Sequence, residues 1–305
     1  MATTVPPGDV RTPEASTGVS AADDITADRR PPVWRRFLRH RGATIGLVFM
    51  LLIVAMAFLG PSLSPYDPLQ VAVTEQLQGP SSVHPFGTDQ FGRDVATRML
   101  HGATLSLQMG FFAVFIAVAV GIGVGLPTGY YSGRTDFVVM RFIDILMAFP
   151  SILLALSIVS ILGPSLANAM VAVSIAFIPM YVRLVRGSTL TMRELPYIEA
   201  ARVVGSRDVT IMIRNILPNL LGPLVVVATL GVATAIIIGA SLSFLGLGAQ
   251  PPTPEWGAML SDGRNFIRVA PWLSVFPGLA IMVTVLAINL IGDGLRDVLD
   301  PRMRV

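Results

Sequence analysis

Five long stretches without a charged side chain constrain this 305-residue sequence more than any other feature. A helix needs about 20 apolar residues to cross the roughly 30 Å hydrocarbon core of a bilayer, and each stretch is long enough to do so. Charged residues make up only 13% of the chain and its mean hydropathy is +0.68, whereas about one quarter of a soluble domain is charged. The chain is therefore predicted to be an integral membrane protein. The stretches are residues 42–66, 99–133, 145–182, 215–254 and 269–292.

The third stretch has 38 residues, too many for one span, and contains the turn-forming sequence Gly163-Pro164-Ser165. We therefore predict six transmembrane helices in an all-α fold. Pro150, Pro179 and Pro277 lie inside predicted spans, and each predicts a kink or a break, although proline is also simply commoner in membrane helices. Polar sequence precedes the first span, which distinguishes it from a cleaved signal peptide. The predicted spans are residues 43–60, 104–129, 142–162, 166–185, 221–245 and 271–292.

The arginine distribution predicts how the chain is oriented in a cell membrane. Loops on the cytoplasmic side carry an excess of basic residues. From residue 29 onward, 17 arginines lie on the side that holds both termini, and 4 lie on the other side. Both termini are therefore predicted to be cytoplasmic. The four arginines of the opposite side are Arg93, Arg98, Arg264 and Arg268.

Missing residue types exclude several classes of enzyme. Arginine supplies all 22 basic residues, and without lysine the chain has neither a Walker A site for ATP nor a Schiff-base lysine. Without cysteine it has no disulfide, thiolate nucleophile or cysteine-bound metal. His40, His84 and His101 form no H-E-x-x-H pattern, which excludes a zincin. We therefore predict a protein that is not an enzyme and that holds no catalytic, cofactor or metal site.

The sequence before the first span divides into two parts. Residues 1–30 are rich in Pro, Ser, Thr, Asp and Gly and are predicted to form a disordered cytoplasmic tail. Within residues 31–41, the spacing of Trp34, Phe37 and Leu38 places three apolar side chains on one helical face among arginines. This favours a short amphipathic helix on the inner leaflet, and a basic flank without a helix is the alternative.

The loop of residues 183–218 has the pattern of two short helices joined at a glycine. Pro196 suits the first turn of a helix, and Glu199 lies where the helix dipole favours a carboxylate. Gly205 suits a left-handed cap that ends this helix, and Ser206 suits the cap of a second helix.

This loop resembles the EAA loop of importer-type ABC permeases. The chain fits the pattern E-A-A-x-x-x-G-x(9)-I-x-L-P, with Asn215 in place of the isoleucine. In that family the loop forms a coupling helix that docks into a cleft on the ATPase subunit. The resemblance assigns this ATPase-coupling role to Glu199, Ala200, Ala201, Gly205, Leu217 and Pro218.

Three further segments, residues 84–107, 242–257 and 270–302, resemble dipeptide and oligopeptide permeases of the C-subunit type. The resemblance implies a type 1 ABC importer transmembrane domain over residues 102–293. The amphipathic helix, the first span and an extracytoplasmic loop would then occupy residues 31–101. Residues 294–305 would form a cytoplasmic tail.

The resemblance also implies a function, the transmembrane permease subunit of an ATP-driven importer for dipeptides and oligopeptides. The implied partners are a second homologous permease subunit, two ATP-binding subunits, an extracytoplasmic peptide-binding protein and membrane lipid, but not nucleic acid. ATP would bind to the partner subunits. Nickel, glutathione or another small solute are alternative cargoes, and a secondary transporter driven by an ion gradient is a more distant alternative.

Two patterns lie within the predicted spans. Gly121, Gly125 and Gly129 are four residues apart, which is typical of close helix packing and not of a phosphate loop. Arg141 and Asp144 lie three residues apart at the start of the third span. This spacing predicts a local ion pair in preference to a proton relay.

A cluster of polar residues precedes the second span. Their types are compatible with metal binding, but their place in the resembling segment favours a docking or structural loop. The residues are His84, Asp89, Arg93 and Asp94.

The predicted orientation can be checked with a reporter enzyme that is active only outside the cytoplasm. We expect no activity when the reporter follows residue 305 and strong activity when it is inserted near residue 75, because the arginine excess keeps both termini inside. Activity of the reporter after residue 305, together with no activity near residue 75, would contradict the six-span topology.

Overall fold

The computed structural model describes residues 33–299. The predicted tail of residues 1–30 and the residues after 299, including Arg302 and Arg304, lie outside them. The described part of the chain is helical throughout its spans. Its helices are α1 (Val33–Arg39), α2 (Arg41–Leu63), α3 (Val95–Tyr131), α4 (Arg134–Met147), α5 (Ser151–Leu162), α6 (Leu166–Arg193), α7 (Pro196–Val203), α8 (Asp208–Thr210), α9 (Leu217–Phe244), α10 (Trp256–Gly263) and α11 (Trp272–Leu299).

The predicted short helix before the first span is present as α1. His40 separates α1 from α2, and its Nδ1 accepts a hydrogen bond from the Ala43 amide at 3.1 Å. Trp34 and Leu38 are exposed, whereas the Phe37 ring lies beside α11. The apolar face of α1 is therefore divided between the surface and the helix bundle.

Five continuous helices of the described residues are long and apolar enough to cross a membrane, and α4 with α5 form a bent pair. The two helices of this pair meet at 92°. Pro150 causes the break that the sequence predicts, because it has no amide hydrogen and disfavours helical geometry at Phe149. Pro179 and Pro277, by contrast, lie inside α6 and α11 and break neither helix. The 12 residues of α5 are about 18 Å long, too short to span a bilayer alone.

Three glycines on α3 determine how the central helices pack. A β-carbon at Gly121 would lie 2.6 Å from the Tyr181 Cβ, one at Gly125 would lie 2.6 Å from the Val182 oxygen, and one at Gly129 would lie 2.8 Å from the Arg186 oxygen. The backbones of α3 and α6 therefore touch along this seam, as the glycine spacing predicts. The packing between α3 and α6 is the most extensive in the bundle.

The same contacts show that α3 and α6 run parallel, since successive glycines meet successive residues of α6. Two parallel helices in a membrane need a return crossing between them. The bent pair of α4 and α5 is the segment that connects them, so it makes that crossing despite its break. The predicted number of six spans is thereby recovered, although the third is not a single straight helix.

Tyr181 of α6 reaches from this seam to α9. Its side chain is fully buried, and its hydroxyl lies where a β-carbon on Gly231 would be, only 2.1 Å away. The missing side chain at Gly231 therefore makes the space that the tyrosine ring fills. This single ring joins α3, α6 and α9 into one packed unit.

Several helices extend beyond the uncharged windows. α3 begins at Val95, because the Asp94 side chain caps it by accepting the Thr97 amide at 2.7 Å. Arg98 is buried in its first turns and donates to the carbonyl oxygens of Pro68 and Pro252. The charged Arg98 therefore ends the uncharged stretch of the sequence without ending α3. Residues 102 and 294, where the sequence analysis begins the type 1 domain and the C-terminal tail, also lie inside helices.

The bundle has two ends, which we name by their surface helices. The α7 end carries the start of α2, the end of α3, the end of α6 and the end of α11. The α10 end carries α10 and the loop between α2 and α3. Antiparallel pairing of α2 with α3, in which the Thr104 hydroxyl donates to the Ala57 oxygen at 2.9 Å, is consistent with this arrangement.

The glycine seam predicts different effects for two substitutions on the same helix. Gly125→Ala should lower the melting temperature of the purified chain, because the new methyl group meets the α6 backbone and overpacking costs about 1–3 kcal/mol. Gly123→Ala is the matched control, since nothing lies within 4 Å of a β-carbon there. In both variants the change from glycine to alanine raises the helix propensity by about 1 kcal/mol, so this effect cancels when the two are compared. Equal melting temperatures for the two variants would contradict the seam.

Candidate functional site

α7 is a short surface helix between two membrane helices, as the sequence predicts. Pro196 occupies its first turn, where a missing amide hydrogen costs nothing. Ile198 is fully buried and holds one face of α7 against the bundle. Glu199 and Ala200 are exposed on the other face, and Ala201 packs partly against the core.

Gly205 ends α7 in the left-handed conformation that the sequence predicts, with φ +81°. The Ser206 amide donates to the Ala201 oxygen at 3.0 Å, and the Gly205 amide donates to the Arg202 oxygen at 2.9 Å. These two bonds form a Schellman motif, which satisfies the last carbonyl groups of the helix. A side chain at this position would therefore be strained, although the space around it is open.

The predicted second helix of the loop is not a separate element. α8 begins at Asp208 and continues through a π-helical turn, Ile211–Ile216, directly into α9. Ser206 does not cap it, because Arg207 and not Ser206 stands at the cap position, and no side chain makes a capping hydrogen bond there. Leu217 and Pro218 lie in the first turn of α9, where the sequence places the entry to the fifth span.

The surface that α7 presents to solvent is unusually apolar at its end. Val203 and Val204 are 83% and 84% exposed, next to the exposed Glu199 and Ala200. Neither valine lies in a membrane-spanning helix. A small, flat helix face with two uncovered valines is suited to bind another protein.

The α7 loop is fastened to α3 by residues that the sequence analysis missed. The Arg193 guanidinium donates to the Gly129 oxygen at 3.2 Å and to the Tyr130 oxygen at 3.3 Å. The Tyr130 hydroxyl in turn contacts Arg202 and Asp208. No motif marks these residues, because their partners are 60 or more positions away along the chain.

The predicted ion pair between Arg141 and Asp144 does not form. Asp144 pairs with Arg183 of α6, and both side chains are about half exposed. The Arg141 guanidinium instead lies 5.3 Å from the centre of the Phe137 ring. Asp144 faces α6, so the partner from another helix replaces the residue one turn away.

A second ion pair fixes α4 on the same helix. Arg186 of α6 binds Asp136 of α4 through both carboxylate oxygens, at 2.5 and 2.6 Å. Such bidentate pairs are geometrically specific. Together with the pair of Asp144 and Arg183, it attaches both ends of α4 to α6.

The polar cluster of the loop before α3 is buried and internally paired. His84 Nδ1 lies 2.9 Å from Asp94, and Arg93 Nε donates to Asp89 at 2.6 Å. Glu75 lies 3.5 Å from the other ring nitrogen of His84. Within residues 33–299, no group of three His, Cys, Asp or Glu side chains is arranged to hold a metal ion. These contacts support the structural-loop interpretation.

Two acidic residues of the α10 segment were also missed by the sequence analysis. Glu255 is buried and accepts the amides of Gly257 and Ala258 at 2.9 Å each, so it caps α10. It also accepts the Ser106 hydroxyl of α3 at 3.0 Å. The bond between Glu255 and Ser106 therefore attaches the α10 segment to the far end of α3. Asp262, the second acidic residue, lies on the same helix, and burial raises its pKa above the ordinary value.

Two families match the chain. Residues 121–305 match the family described as binding-protein-dependent transport system inner membrane component. Residues 32–80 match the N-terminal transmembrane domain of oligopeptide transport permease C. The first match contains the α7 loop and the segments 242–257 and 270–302 of the sequence analysis, whereas residues 84–107 lie between the two matches.

Curated relatives match most of the chain. A dipeptide transport system permease protein, DppC, of Alkalihalophilus pseudofirmus is 49% identical over 271 residues, 89% of each chain. A glutathione transport system permease protein, GsiD, of Pectobacterium atrosepticum is 49% identical over 272 residues, 89% of this chain and 90% of the relative. GsiD of Escherichia coli O157:H7 is 50% identical over the same length.

The fold also matches a solved structure. A chain of the MetNI methionine ABC transporter, in inward facing conformations, superimposes with a TM-score of 0.54 at 22% sequence identity. The match covers 66% of this chain and 96% of the other, and it confirms the type 1 ABC importer transmembrane fold. By its own sequence matches, this chain belongs to the family of inner membrane components of binding-protein-dependent ABC transport systems.

Proposed function

We propose that this chain is the permease subunit of an ATP-driven importer that carries dipeptides or oligopeptides. The names of its relatives support this cargo, since one is a dipeptide permease and the others are permeases for glutathione, itself a tripeptide. Glutathione is the strongest alternative for the same reason. Nickel or another small solute would use the same machinery.

One observation carries the proposal, the exposed face of α7. Val203, Val204 and Ala200 lie uncovered beside Glu199, on a helix that Ile198 anchors from below and Gly205 ends sharply. In this proposal the face docks into a cleft of an ATP-binding subunit. Leu217 and Pro218 begin the membrane helix that follows, so a movement of α7 is passed to α9.

The proposed assembly contains a second homologous permease, two ATP-binding subunits and an extracytoplasmic peptide-binding protein. ATP is bound and hydrolysed on the partner subunits, so this chain performs no catalysis and holds no cofactor. In this proposal the type 1 domain begins inside α3 at residue 102 and ends inside α11 at residue 293, and residues 31–101 form the preceding helices and loop. Residues 294–305 form the C-terminal segment, whose first part continues α11 to Leu299. Helix rocking around a path shared with the second permease gives alternating access.

We further propose that the α7 end is cytoplasmic, which places both termini inside. The arginine excess at this end supports the orientation, as does the need for α7 to meet subunits that bind cytoplasmic ATP. The α10 end would then face the binding protein. Membrane lipid surrounds the bundle, and the chain has no nucleic acid partner.

An ion-gradient-driven secondary transporter is the less favoured candidate. In its proton-driven form, such a mechanism needs a membrane carboxylate that gains and loses a proton during transport. Asp144 is the residue that the sequence offers for this role, and it is paired with Arg183. This half-exposed pair joins α4 to α6, which favours a structural role for Asp144 over a proton relay.

Transport by the reconstituted complex tests the cargo and the energy source together. Vesicles that contain the chain, the second permease, the ATP-binding subunits and the binding protein should take up a labelled tripeptide only when ATP is supplied. Uptake should persist when an ionophore dissipates ion gradients. Glutathione or nickel taken up in place of the peptide would identify the alternative cargo. ATP-independent uptake that the ionophore abolishes would contradict the proposal.

The docking role of α7 predicts the effect of two substitutions. Gly205→Val should reduce uptake roughly tenfold, because left-handed geometry costs a side-chain-bearing residue about 1–2 kcal/mol and α7 then loses its ending. Glu199→Arg should also reduce uptake, since it places a cation at the positive end of the helix dipole. Both chains should reach the membrane in normal amounts.

Asp293→Arg is the matched control, because it reverses an exposed carboxylate at the same end of the bundle but on α11. Uptake should remain near the wild-type rate in this variant. Wild-type uptake by Gly205→Val and Glu199→Arg, at normal abundance, would mean that the loop is a connector and not the coupling element.

A further inference from the structure

Tyr130, at the end of α3, contacts residues on both sides of the Gly205 turn. Its hydroxyl donates to Asp208 Oδ1 at 2.8 Å and accepts from Arg202 Nε at 3.3 Å. The Arg202 guanidinium also lies 5.1 Å from the centre of the Tyr130 ring. The tyrosine is only 6% exposed, so it connects the end of α7 to the start of α8 from beneath.

The beginning of the loop is attached to the same point. Arg193, the last residue of α6, donates to the carbonyl oxygens of Gly129 and Tyr130 and to the Ser132 hydroxyl. Residues before, at the end of and after α7 thus all bind the last turn of α3. The position of α7 is therefore fixed against α3, although α3 is not its neighbour in the chain.

We propose that Tyr130 is a positioning residue for coupling, which makes α7 move together with α3 through its bonds to Arg202 and Asp208. This inference rests on the proposed function of α7 as the docking helix. It adds a connection through side-chain contacts to the two connections that the polypeptide backbone provides. The two covalent routes from α7 lead to α6 and α9, whereas Tyr130 leads to the helix that packs against both.

α3 is suited to carry such a movement along the whole bundle. It has 37 residues without interruption, a length of about 55 Å. At its other end, its Met99 oxygen accepts the Trp256 indole at 3.0 Å, and its Ser106 hydroxyl bonds to Glu255. Helix α3 therefore links the α7 loop to the α10 segment through defined contacts at both ends.

Tyr130→Phe is the sharpest test, because it keeps the ring beneath Arg202 and removes only the hydroxyl. Asp208 and Arg202 are exposed residues, so water solvates them when the hydroxyl is lost and the fold is retained. Tyr131→Phe is the matched control. The Tyr131 ring is 58% exposed and packs edge-on against Tyr130, with ring centres 5.2 Å apart.

The measurement is the amount of peptide transported per ATP hydrolysed in vesicles that hold the complete complex. Tyr130→Phe should lower this ratio about fivefold, since it removes two hydrogen bonds to charged groups. ATP hydrolysis and co-purification of the ATP-binding subunits should stay normal. Asp208→Ala combined with Tyr130→Phe should be no worse than the more severe of the two single variants, because both changes remove the bond between Tyr130 and Asp208.

A ratio equal to that of the wild type and of Tyr131→Phe would overturn the inference. Loss of the ATP-binding subunits from Tyr130→Phe would also overturn it, because the role of Tyr130 would then be in assembly and not in coupling. If the wild-type complex shows no ATP-dependent uptake, the proposed function fails by itself, and a second measurement still tests Tyr130.

That measurement is the distance between spin labels on α3 and α7. The chain contains no cysteine, so Gly123→Cys and Val203→Cys introduce the only thiols, both at exposed positions. The distance distribution should be narrow in the labelled parent and in Tyr131→Phe, and should broaden in Tyr130→Phe. An equally narrow distribution in Tyr130→Phe would show that its hydroxyl does not fix α7 on α3.

Discussion

The close approach of α3 and α6 along three glycines is the constraint on which the rest of the bundle depends. Without it the two helices could not run parallel in backbone contact, and a broken return crossing by α4 and α5 would have no fixed pair to pack on. In a bilayer the lipid tails are as apolar as the side chains, so burying apolar side chains between helices provides little driving force. Close backbone contact of this kind is therefore a main source of helix association.

The sequence predicted well those features that depend on local chemistry. Uncharged windows located the spans, the glycine spacing located the seam, and Gly205 has the left-handed conformation expected of it. The chemistry of proline also predicted the break at Pro150, although Pro179 and Pro277 lie inside continuous helices. These features need no knowledge of which helices become neighbours.

Features that depend on distant partners could not be predicted in the same way. Asp144 was expected to pair with Arg141 because helical neighbours are visible in a sequence, but Arg183 is closer once α6 packs against α4. Ser206 was expected to cap a helix because serine is a common capping residue, but the helix begins one residue later, after Arg207. Tyr130 was overlooked because a tyrosine at a helix end has no distinguishing pattern.

The ring of Tyr181 against Gly231 has an evolutionary consequence. A β-carbon at position 231 cannot be accommodated unless the Tyr181 hydroxyl is lost or moves, and a smaller residue at position 181 leaves a cavity that glycine cannot fill. Neither position is free to drift on its own. Among related permeases these two positions should therefore change together or not at all, so the core of the three helices evolves by pairs of residues.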